Sequence, residues 1–202
     1  MDGSKLEVVA SFCYLGDMLD AGGGCDAAIA ARCCMAWGKF CKLLPVLTTR
    51  HLSPKIRGKI YSACVRSAML HGCETWGPNA PDLQRLRRND RAMIRWICGV
   101  KERDEVPSDM LLQRLGIDDV LAVLRCRRLQ WFGHVERAAG CINSVVEMRV
   151  PGGAKRGRPR KTWKECVKKD LEDLRLPIAA AQDRQAWRRA VKHSLVQPTA
   201  SR

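Results

Sequence analysis

Apolar residues recur along this chain at helical spacing, and the recurrences are bracketed by start and stop signals that leave little room for a sheet. Ser53-Pro54 puts a serine at N-cap and a proline at N1, and Ile56, Ile60, Cys64 and Ala68 carry an apolar face from there to His71-Gly72. Asp26 is expected to cap a helix reaching about Leu44, with Ile29, Cys33, Ala36, Trp37 and Phe40 as its stripe and Pro45 closing it. After the turn Gly77-Pro78-Asn79, Asp82 opens a helix with Leu83, Leu86, Met93, Ile94 and Ile97 inward, arginines around the other side and Gly99 as its cap. Pro107-Ser108 begins a short helix that stops at Gly116, and Asp118 or Asp119 caps a long one through Val120, Leu121 and Leu124 to His134. Thr162 caps a helix striped by Trp163, Val167, Leu171 and Leu174, and a last helix is expected over 179–194 with Trp187, Val191 and Leu195 in register.

The beginning of the chain departs from this period. Leu6 to Ala10 and Phe12 to Leu19 are short, rich in strand formers and ended by Gly22-Gly23-Gly24. A hairpin alone is barely stable in water, so these strands are expected to pack on the following helices or to pair with strands outside this sequence. The expected fold class is therefore mostly α: a helical bundle, a basic helical C-terminal extension and a short N-terminal strand pair. Its segments are 1–22 (strands), 23–100 (the main helical region), 101–139 (connecting helices) and 140–202 (the basic extension).

Charge singles out that extension. Residues 1–124 hold 17 basic and 14 acidic residues, whereas residues 125–202 hold 19 and 7, so most of the +15 lies in the C-terminal part. A polyanion would be met there. No run of 18 consecutive apolar residues and no signal peptide is present, so an intracellular protein of nucleus or cytoplasm is expected, with no membrane partner. Eleven cysteines include no Cys-x-x-Cys pair, and Cys126, His134 and Cys141 have spacings that fit no common zinc module. Most of the cysteines read as small core residues. Asp118-Asp119, an adjacent carboxylate pair beside apolar residues, reads as a helix cap rather than a metal site. No catalytic residue, metal ligand or cofactor is expected.

Two stretches carry the functional signal. The first, Cys126-Arg127-Arg128-Leu129-Gln130-Trp131-Phe132-Gly133-His134-Val135-Glu136-Arg137, reads as a helix end with arginines on one side and Leu129, Phe132 and Val135 on the other. The second, Arg156-Gly157-Arg158-Pro159-Arg160-Lys161-Thr162-Trp163-Lys164, is an extended basic strap running into a helix start; nine Lys or Arg and a single acid lie between Arg149 and Lys169. Such a strap would neutralise several phosphates without reading sequence. It also has the arginine-glycine-arginine-proline core of an AT-hook, which lies in narrow A·T minor grooves, or it could be a solvated linker. The preferred reading sets the strap and the free N–H groups of the helix start on one phosphate backbone. Arg127, Arg128, Arg156, Arg158, Arg160, Lys161 and Lys164 are the candidate phosphate contacts, and His134 is read first as a packing residue and second as a contact. Trp131, Trp163 and Trp187 could stack on bases, but their place on amphipathic stripes favours core anchoring.

These stretches, with others in the same order, resemble the C-terminal, post-catalytic region of reverse transcriptases encoded by non-LTR (LINE-type) retrotransposons. Phe12-Cys13-Tyr14-Leu15-Gly16 resembles the family's F-x-YLG strand, and Leu70-His71-Gly72-Cys73-Glu74-Thr75-Trp76 its LYGCETW, with histidine where an aromatic is usual. Arg128 to Val135 matches RL-x-W-x-GHV, and Gly157 to Trp163 matches GRPRKTW. The resemblance implies a thumb that grips a template-primer duplex, followed by a helical extension, so that 1–22 would be the remnant of a palm/thumb junction. It also implies RNA, DNA or a hybrid as partner through backbone contacts, and possible association with a separate catalytic portion. The fingers, palm and aromatic-x-Asp-Asp metal site of the family are not in this sequence, so no polymerase activity is expected. The remaining alternative is a helical interaction or structural module whose charge serves only solubility.

Overall fold

The structure, a computed structural model, describes residues 9–14, 17–21, 23–138 and 161–193, with the isolated positions 142, 146 and 148. It is mostly helical, with one two-stranded antiparallel sheet near the N-terminus. Strands β1 (Ser11–Tyr14) and β2 (Asp17–Asp20) pair Phe12 with Leu19 and Cys13 with Met18. Both strands lie on the stretch Phe12 to Leu19 and one residue to either side of it, and residues 6–8 lie outside the described residues. β2 rests on the first helix while all of β1 is exposed.

Helix α1 (Asp26–Thr48) buries Ile29, Cys33, Ala36 and Phe40 as the stripe requires, and the Trp37 indole donates to Asn89 at 2.6 Å. It does not end before Pro45. The proline sits inside the last turn, where its missing N–H costs only one intrahelical bond and the deprived Cys41 is exposed. Helix α2 (Pro54–Ile60), capped by Ser53, continues through a π-helical stretch (Tyr61–Arg66) into α3 (Ser67–Met69).

The face expected on Ile56, Ile60, Cys64 and Ala68 is not the buried one. Ile56 and Cys64 are exposed, and Gly58, Tyr61, Val65 and Met69 turn inward. Two contacts set that rotation. A Cβ at residue 58 would collide with the Leu115 carbonyl, so the glycine must face it. Tyr61 and Arg66 also converge on Asp90: the phenol donates to Oδ1 at 2.8 Å, and the guanidinium makes two bonds of 2.9 Å. A buried acid needs such partners, and periodicity counted only in apolar letters overlooks it.

Helix α4 (Ala80–Cys98) starts from a capping box between Asn79 and Asp82 and ends at a left-handed Gly99. After a 3-10 turn (Glu102–Asp104), α5 (Ser108–Leu115) leads to α6 (Val120–Arg137), whose cap is Asp119 with its carboxylate accepting from Leu121 and Ala122. Beyond residue 160 come α7 (Trp163–Leu174), with the expected Thr162 cap closed reciprocally by Glu165, a 3-10 turn (Ile178–Gln182) and α8 (Arg184–His193). The single last helix expected over 179–194 is split in two. Asp183 is extended, and its carboxylate takes the amides of Gln185 and Ala186, which starts α8 afresh.

Two apolar clusters result. One gathers α1 to α5 and the first turns of α6, down to Leu124; the other gathers Cys126, Leu129 and Phe132 of α6 with Val167, Leu171, Trp187 and Val191. Their border falls within α6, which belongs to both. Among the described residues no helix is long and apolar enough to cross a membrane.

Candidate nucleic-acid interface

The motif residues of the sequence meet around one turn, residues 70–77. Three carbonyls of that turn, those of Leu70, Glu74 and Trp76, accept from side chains of α6 and α7. Arg127 Nη1 donates to the Leu70 carbonyl at 3.0 Å, and Arg128 Nη1 to that of Trp76 at 3.3 Å. From the other side the Trp163 indole donates to the Glu74 carbonyl at 2.7 Å. Gly77 lies against the start of α7 so closely that a Cβ there would stand 2.8 Å from the Lys161 carbonyl. The stretch resembling LYGCETW is thus held between the other two motifs.

Arg128 is also the centre of a charged group. Its Nε lies 2.8 Å from Asp170 Oδ2, while Arg125 approaches Asp170 Oδ1 at 3.4 Å and Asp173 at 3.8 Å. Only 5% of Arg128 is exposed. Burial pushes the Asp170 carboxyl above its ordinary value, and the Arg128 guanidinium draws it back down. Arg128 is therefore corrected from a phosphate contact to the pin between α6, α7 and the 70–77 turn. Its charge is already answered, and exposing it to a ligand would strand Asp170. Arg127 is half-buried with one nitrogen committed to a carbonyl, so it offers less than an exposed arginine would.

The remaining candidates divide plainly. His134 is exposed on α6 and its ring lies 5.2 Å from that of Trp131, itself half-buried, so this pair is a surface aromatic edge. Lys161 and Lys164 are exposed at the start of α7. Arg156, Arg158 and Arg160 lie outside the described residues. Trp163 and Trp187 are anchors: the first is bonded to Glu74, and the second, 2% exposed, donates to the Leu129 carbonyl at 2.9 Å and sets the Nε1–Cδ1 edge of its indole against Gly133, where a Cβ would collide with it.

Cys126 and His134 are eight residues apart on one helix, roughly 12 Å along its axis, so they cannot share a metal ion. Cys126 is buried, with Gln130 donating to its sulfur at 3.4 Å. Among the described residues no group of three or more His, Cys, Asp or Glu is placed to hold a metal. Burial pushes the Cys73 thiol in the gripped turn up to about 12, with Glu74 adding to it, so this cysteine stays protonated. Half of the ten described cysteines are buried, while Cys13, Cys34, Cys41 and Cys64 are exposed, so the core reading holds for fewer than expected.

Charge is added by residues that motif reading passed over. Lys168, Lys169 and Arg175 of α7 and its end are exposed, as are Arg184, Arg188, Arg189 and Lys192 of α8. The signal was present as an acid-free run from Arg184 to Arg202, but it matches no motif and draws no attention by spacing. No protein-family model, curated protein or solved structure matches this chain.

Proposed function

We propose that this chain is a non-catalytic, nucleic-acid-binding helical segment of the kind that follows the catalytic region in LINE-type reverse transcriptases, holding RNA, DNA or a hybrid by its backbone phosphates. One observation carries the reading. Residues 125–202 concentrate 19 basic residues against 7 acids, and Lys161, just before α7, and Lys164, Lys168 and Lys169 on it stand exposed where the sequence of the strap, with Arg156, Arg158 and Arg160, runs into that helix. Flexible cations beside a helix start suit phosphates at many sequences, because they neutralise charge and read no base edges. The exposed Trp131–His134 edge could add stacking on an unpaired base. The partners of this reading are nucleic acid and, through the resemblance, a separate catalytic portion; its place is the nucleus or cytoplasm.

The test is binding to mixed duplex DNA, A·T-rich duplex, structured RNA and an RNA-DNA hybrid over a salt series, beside a variant with Arg156, Arg158, Arg160 and Lys161 changed to alanine. The reading calls for log affinity to fall steeply with log salt and for the variant's slope to be shallower by about three to four on B-form DNA, at roughly 0.9 per lost phosphate contact. Tight preference for the A·T-rich duplex would replace it with the AT-hook. A folded chain that binds none of these at low salt would leave the structural module, for which the internal use of Arg127 and Arg128 already speaks.

A further inference from the structure

Helix α8 has no acidic residue, and its two buried side chains, Trp187 and Val191, sit on one side. On the opposite side Arg188, Arg189 and Lys192 are exposed within a little over one turn, beside exposed His193. Among the described residues none of these three cations is in an ion pair; Arg189 bonds to Gln185 at 3.4 Å and its charge acts on the Asp183 carboxyl from beyond ion-pair distance. Asp183, the nearest acid in sequence, is engaged by the amides of Gln185 and Ala186, which hold its carboxyl below the usual range. Three exposed cations together, facing one carboxylate that two amides already engage, raise the local potential.

We propose that the outer face of α8, through Arg188, Arg189 and Lys192, is a second phosphate-binding surface for nucleic acid, separate from the strap. This rests on the nucleic-acid reading above and extends it to a helix that reading did not include. The cations span roughly 6 Å along the axis, which corresponds to about two phosphates of one strand at 3.4 Å per step. A membrane is the poorer fit. Interfacial helices insert a free apolar face, and here that face is consumed by Gly133 and Leu129 of α6.

The full chain is titrated with a fluorescent mixed-sequence DNA duplex over a salt series, alongside R188A/R189A/K192A and the charge-keeping R188K/R189K. All three positions are exposed and alanine favours helix, so melting temperatures should match the wild type. The triple variant should have a salt slope shallower by about two, while the lysine variant keeps it. A steep wild-type slope that the triple variant reproduces overturns the α8 surface and leaves the strap reading intact. A wild type without salt-dependent binding removes both. Binding to anionic vesicles or polyglutamate as tight as to DNA would also overturn it, in favour of a generic acidic partner.

Discussion

In α6, Arg125 and Arg128 turn onto Asp170 and Arg127 reaches the Leu70 carbonyl; in α8, Arg188, Arg189 and Lys192 remain exposed and unpaired with any described carboxylate. The two helices are similarly basic, yet only one of them has neighbours on most sides. Helix α6 lies between both apolar clusters, so its guanidiniums are within reach of loop carbonyls and of the one buried acid of α7. Helix α8 packs through a single face. Arginine at a crowded helix is recruited by unsatisfied carbonyls and carboxylates, and arginine on a one-sided helix is left to the solvent or to a ligand.

That contrast breaks most visibly at Arg128. Replacing it with alanine leaves Asp170 buried with only the longer Arg125 contact, and a loss of about 3 kcal/mol is expected in denaturant or thermal unfolding. Arg188→Ala should stay within about 0.5 kcal/mol of the wild type. An Arg128→Ala protein that melts with the wild type would mean that the α6 arginines are no more structural than those of α8.

Gly133→Ala sharpens the comparison by attacking the contact that mounts α8 on α6. Helix propensity alone would favour alanine by up to about 1 kcal/mol, but the new methyl meets the Trp187 indole, so a net destabilisation of about 1–3 kcal/mol is expected. The sign of the change separates the two effects. Thr162→Ala, which removes the cap of α7, should cost about 1 kcal/mol and leave the second cluster otherwise assembled. Thiol labelling gives the smallest effect. At neutral pH the exposed Cys13, Cys34, Cys41 and Cys64 should be alkylated first, whereas Cys25 and Cys73, pushed up to about 12 by burial, should react only after unfolding.

Helix existence and most ends were legible in the residues, because caps are local chemistry: Ser53, Asp119, Thr162 and Gly99 all act where the sequence places them. The orientation of α2 was not. Asp90, twenty-four residues beyond Arg66, decides which way that helix turns, and the demand of a buried carboxylate is invisible to apolar periodicity. The same limit applies to the candidate site. A basic motif signals charge, but whether Arg128 meets phosphate or Asp170 depends on where α7 docks. Gly77 and Gly133 could have hinted at it, since a glycine inside an aromatic motif often marks a close approach.

On the proposed function, the basic residues of the C-terminal part are divided between holding the fold and holding nucleic acid. The most direct measurement of that division pairs melting temperature with DNA-binding salt slope for Arg128→Ala and for R188A/R189A/K192A, each beside the wild type. The account calls for a crossed outcome, in which the α6 variant loses melting temperature and the α8 variant loses slope alone. An α8 variant that melts early with its slope intact, or an α6 variant of unchanged stability that binds less steeply, would contradict it.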